Sequence, residues 1–165
     1  MQQKIIIILL LFLIVTGCAK TDSSSKKDEQ KIPKIPILKN DEIKDDAGIK
    51  EIKDNVFIQF TDDMYVNPED YGNKKLKIEG IMYIDSYENE EELHYFIARR
   101  TPGCCGNDGL AGLEIYYDGE IPEKDSWVIG KGIWKKSSIS SSGWILALYS
   151  LENGPKGDEF LEYNY

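Results

Sequence analysis

Between Lys74 and Leu151, apolar and polar side chains alternate with a period of two in five short runs. That period places successive side chains on opposite faces of a strand, so each run reads as a β-strand with one buried face. Lys74–Ser86 sets Leu76, Ile78, Gly80 and Met82 against Lys75, Lys77 and Glu79. Leu93–Thr101 sets His94, Phe96 and Ala98 against Tyr95, Ile97 and Arg99. Leu113–Tyr117, Trp127–Lys135 and Gly143–Leu151 complete the set, separated by turn sequences such as Asp118-Gly119 and the serine-rich stretch 137–143. The charged stretch YENEEE joins the first two runs. Gly80, Gly130 and Gly132 fall inside runs, where glycine marks a bulge or a sharp bend. Five short bent strands predict an all-β domain, a five-stranded OB-like, partly closed β-barrel, with a β-sandwich as the alternative. Thr61–Tyr71 resists a strand reading. Asn67 as cap, Pro68 in the first turn and the acids Glu69 and Asp70 predict one short helical turn ending near Gly72.

Location is read from the other end of the chain. Lys4 precedes an unbroken apolar run, Ile5–Val15, which is long enough for a signal peptide and too short to span a bilayer of about 30 Å. The run ends at Val15-Thr16-Gly17-Cys18, which resembles the lipobox of bacterial lipoproteins. That resemblance implies a signal peptide over 1–17, cleavage before Cys18, and a lipid on its thiol. The mature chain is then an extracytoplasmic lipoprotein held at the membrane by acyl chains such as palmitate.

Residues 19–50 are charged, serine-bearing and poor in aromatics, and KIPKIP has no helical period. Such a segment buries too little apolar surface to offset its ordering entropy. It reads as part of a tether, 18–52, reaching roughly 30 Å. A single β-barrel domain over 53–165 follows, long enough for one core. Removing 1–17 takes away one lysine and no acid, moving the net charge from −9 to −10. So acidic a surface is repelled by nucleic acid and by anionic headgroups, which excludes nucleic acid as a partner and leaves the lipid as the membrane contact.

The chain has one histidine, and it lacks a Gly-x-Ser-x-Gly elbow, a phosphate-binding glycine loop and a calcium loop. No catalytic set emerges, and no cofactor-binding motif; the reading is non-enzymatic. What stands out is Cys104-Cys105, flanked by Gly103 and Gly106, with Asp108 beyond and Arg99 and Arg100 before. Three states are open to the pair. The thiols can bind a soft ion (zinc, copper(I) or an arsenite-like species), with Asp108, His94 or a partner completing the shell. They can join in a strained vicinal disulfide, since adjacent Cα atoms lie about 3.8 Å apart, and cycle as a redox pair. Or they can pack as small hydrophobes in a structural or interaction domain. Arg99 and Arg100, if close to the sulfurs, would favour the thiolate and so support the loop.

Taken in order, residues 60–83, 96–115 and 125–134 resemble the C-terminal domain of the YcgQ-like permease subunits. The shared positions are Asn67, Pro68, Tyr71, Gly72, Gly80, Arg99, Cys104, Cys105, Asp108, Trp127 and Gly132. Family members carry transmembrane helices before this domain, where this chain has its apolar leader and tether. The resemblance implies an accessory domain of the cell envelope that binds a soft metal or metalloid, or assists a YcgR-like permease.

Overall fold

Lys75–Asp85 organises the molecule, because it changes partners halfway along. In the computed structural model, which describes residues 45–86 and 93–163 together with Pro36, Leu38 and Ile43, this strand is β2. It follows a two-residue strand, β1 (Lys50–Glu51), and precedes β3 (His94–Gly103), β4 (Gly106–Tyr116), β5 (Trp127–Lys136) and β6 (Trp144–Asn153). The first half of β2, Lys75–Ile81, pairs with β5, and the second half, Ile81–Asp85, pairs with β3. The exchange falls at Gly80-Ile81. A Cβ on Gly80 would stand 2.4 Å from the Ala98 carbonyl oxygen, so only glycine lets the two backbones approach there. Gly132 lies beside a register shift between β5 and β6, in keeping with the bulge its position predicts.

The pairing order is β1-β2-β3-β4-β6-β5, with β2 returning to β5. The sheet is therefore one mixed, ring-like sheet of six strands rather than two packed sheets. The mostly-β expectation holds, with five strands in the ring and the short β1 beside it. The ring's weakest seam lies between β4 and β6, which pair in parallel at Ile115 and Tyr116 only.

A ten-residue helix, α1 (Phe57–Val66), packs on β4 and was not expected from the sequence. Its N-cap is Val56, with no side-chain cap bond, so the usual start signal is missing. Its buried residues, Phe57, Ile58, Thr61 and Met64, fall on one helical face. Tertiary burial, not local signalling, holds this helix. Tyr65 at its far end accepts a hydrogen bond from the Glu114 backbone N–H (3.0 Å), satisfying a β4 donor. The helical turn expected at Asn67–Gly72 is the 3-10 turn Pro68–Tyr71, with Asn67 and Gly72 as its caps.

Inside the ring, Leu76, Ile78, Met82, Ile97, Leu113, Val128 and Leu146 are fully buried with Phe57 and Met64. Trp134 stacks on Trp144 (centroids 6.1 Å apart) and meets Tyr65 edge-on. Asp45–Ile52, read as the end of the tether, lies against the sheet. Asp46 pairs with Lys131 (2.6 Å), Glu51 pairs with Lys77 (2.8 Å), and Ile52 is 3% exposed. The physical reason is the outward row of lysines on β2 and β5, which offers these acids partners. No helix among the described residues is long and apolar enough to cross a membrane. The expected signal peptide, Cys18 and the charged connection at 87–92 lie outside the described residues.

Candidate functional site

The hairpin joining β3 to β4 carries the cysteines, and it is tighter than the turn sequence suggests. β4 begins at Gly106, not at Leu113, because 106–112 pairs with β3 despite its glycines and asparagine. Gly103 pairs with Gly106, so Cys104 and Cys105 are the two central residues of the turn. Neither has a positive φ; that strain falls on Gly106 at φ 123°, a conformation open to glycine. A register shift between Thr101 and Gly103 accommodates Pro102, which cannot donate to a ladder.

Both thiols are free and exposed, with their sulfurs 3.5 Å apart. The buried packing of the third state is thereby excluded, since both side chains are exposed. Asp108 folds back over the turn. Its Oδ1 lies 3.4 Å from the Cys105 N–H, and a Cβ on Gly103 would stand 2.0 Å from the same oxygen. Gly103 therefore leaves the space that the carboxylate fills. One donor atom from each of Cys104, Cys105 and Asp108 lies within 4.8 Å of the other two. Two thiolates on tetrahedral zinc would sit about 3.8 Å apart, given Zn–S near 2.3 Å. The sulfurs are close to that bite already, with a carboxylate as third donor and a fourth position open to solvent or a partner.

The other predicted site residues lie elsewhere. His94 starts β3 while Cys104 follows its last residue, an extended separation of roughly 30 Å. His94 is 7% exposed and its Nδ1 lies 2.7 Å from Glu114 Oε1, so it is not a donor at the turn. The arginines do not support the loop either. Arg99 points inward, as alternation with Ile97 requires. Its guanidinium lies over the Trp127 ring (4.3 Å) and Phe57 (5.3 Å) and donates to the Glu79 carbonyl, the Asp158 carbonyl and Asp54 Oδ1. Arg100 faces outward and donates to Glu159 Oε1 (2.7 Å), while its backbone pairs with the C-terminal segment around Phe160. Both cations are committed to carboxylates and carbonyls, which is why they do not serve the thiols.

Glu114 is the functional-looking residue that the sequence hides. In GLEIYY it reads as one solvated acid on a strand's outer face, and only the register of β3 and β4 brings it to His94.

A ring-like β-sheet that displays two thiols and a carboxylate on a hairpin turn defines a β-domain with an exposed metal-type donor set. Residues 23–153 match the family model of the DUF1980 C-terminal domain, most of the chain, and the protein belongs to that family. This is the family to which the ordered arginine, Cys-Cys and tryptophan motifs point. No curated protein matches the chain.

Proposed function

We propose that this protein is a lipid-anchored, extracytoplasmic accessory protein that captures a thiophilic ion at Cys104, Cys105 and Asp108. It works without catalysis beside a YcgR-like permease in the same membrane. The observation that carries the reading is the convergence of two sulfurs and a carboxylate within 4.8 Å on an exposed turn. Thiolates favour zinc, copper(I) and trivalent arsenic over hard cations. Three donors from one chain leave a coordination position through which the ion can pass to a partner. Capture releases thiol protons, so apparent affinity rises with pH. The leader ending in Cys18 supports the anchor, and a chain so acidic has no charge-based attraction to headgroups.

Titration of the reduced full chain with zinc, copper(I) or arsenite, followed by intact-mass measurement, tests the capture. A one-to-one adduct is expected, absent when Cys104 and Cys105 are both serine. An adduct that survives the double substitution would contradict the assignment.

A redox role is the second reading, favoured by the 3.5 Å sulfur separation at an exposed position. The vicinal ring would be strained and easily reduced. Differential alkylation of protein taken from the envelope decides it: a pair that is fully alkylatable before reduction is not cycling.

A further inference from the structure

A second concave site lies on the outer face of β2, β3 and β4, away from the cysteine turn. A cleft of about 390 Å³ is lined there by Tyr83 and Asp85 of β2, Phe96 of β3, Glu114 of β4 and Tyr65 of α1, with Ser142 at its rim. We infer that this cleft binds an organic cation, an ammonium or guanidinium group on an aliphatic stem.

Three observations carry this. First, the cleft has the required walls. Tyr83 and Phe96 meet at an angle, centroids 6.1 Å apart and planes tilted by 56°, and Tyr65 stands at another wall. Aromatic faces around a cavity hold ammonium groups through their quadrupoles. Second, the charged lining residues are acidic. Asp85 and Glu114 contribute carboxylates, and no lysine or arginine is among the lining residues. Glu114 is 4% exposed and its Oε1 is held by His94 Nδ1, which leaves Asp85 as the carboxylate offered to a guest. Third, the walls are held in place. Tyr65 is fixed by the Glu114 N–H and by its edge contact with Trp134, and Glu114 by His94 Nδ1. A preorganised cavity loses less entropy on binding. Lys124 Nζ lies 5.4 Å from the Tyr83 centroid, so a guest cation shares that ring with it or displaces it.

The cation can come as a free amine or as a basic side chain of another protein, and two probes separate these. The full-length protein is titrated calorimetrically with cadaverine, with an oligolysine peptide, and with pentane-1,5-diol as the neutral control. Saturable one-to-one binding of an amine is expected, and none of the diol. Tighter cadaverine binding assigns a free amine; tighter peptide binding assigns a protein side chain. Asp85→Asn keeps the acceptor that Asp85 presents to the Ser86 N–H and removes the charge. It and Phe96→Leu should each weaken binding about threefold to tenfold. Replacing Cys104 and Cys105 with serine should leave the affinity unchanged, so the outcome is independent of ion capture. Equal binding of diol and amine, an affinity untouched by both cleft variants, or no saturation by either amine at millimolar concentration would overturn the inference.

Discussion

Gly103 and Asp108 show how much of the site depends on single atoms. A methyl group at 103 would occupy the position of Asp108 Oδ1, 2.0 Å away, so Gly103→Ala should push the carboxylate off the thiols. We expect a drop in ion affinity of about tenfold, the value of one lost donor worth about 1.4 kcal/mol, with the unfolding midpoint little changed because the turn is exposed. Parallel ion titration and urea denaturation check both halves. Cys104-Cys105 and Asp108 were legible in the sequence because a two-residue turn keeps near neighbours near. His94 as a fourth donor was not, since its distance from the turn is set by the direction of β3. The arginines were half legible. Alternation sends only one of Arg99 and Arg100 inward; the structure makes it Arg99, and its partners Asp54 and Asp158 come from segments far away in the chain. Arg99→Met should keep the packing on Trp127 and lose the donors. We expect a cost of about 2–3 kcal/mol, discounted for the half-exposed Asp54 and measured by urea denaturation.

At the scale of elements, α1 and its joint to the following 3-10 turn set the expectations. Met64 is fully buried, and Met64→Ala should cost about 2–4 kcal/mol, read from the same denaturation experiment. Asp63 sits at the joint, accepting from Asn67 Nδ2 (2.7 Å) and from the Tyr71 hydroxyl. The Tyr71 bond, then that of Asn67, holds its carboxyl below the usual range, and the same contact pushes Tyr71 up to about 12. For the carboxyl the folded value is the lower one, so its stabilisation is complete above the ordinary aspartate range. It is lost as pH falls from there through the folded value. For Tyr71 the folded value is the higher one. Its contribution is complete below the ordinary phenol value and lost as pH rises toward 12. Urea midpoints from pH 7 down to pH 3 should therefore fall less steeply in Asp63→Asn than in the parent. Equal slopes would contradict the assignment. The strands were readable because period two is a local signal. The helix was not, because Phe-Ile-Gln-Phe lacks a polar cap and its buried face is defined by β4. The short third strand, expected at 113–117, underestimated β4 for a related reason: Gly106–Gly109 has turn chemistry, and pairing with β3 overrides it.

For the whole molecule, the ring and the turn divide the work. The ring supplies the stability and the turn supplies the donors, so replacing both cysteines with serine should leave stability within about 0.5 kcal/mol while abolishing ion capture. The proposed anchor is tested separately, by fractionation. Cys18→Ser should move the protein from the membrane to the soluble extracytoplasmic fraction without changing ion affinity. A protein that stays with the membrane after that change is held by something other than the lipid. The central claim, a thiophilic ion held by two sulfurs on the β3–β4 turn, is tested most directly by metal-edge X-ray absorption of the full chain loaded with one equivalent of zinc. A shell of two sulfurs at about 2.3 Å with oxygen completing the sphere is expected. A shell of oxygen and nitrogen alone would contradict it.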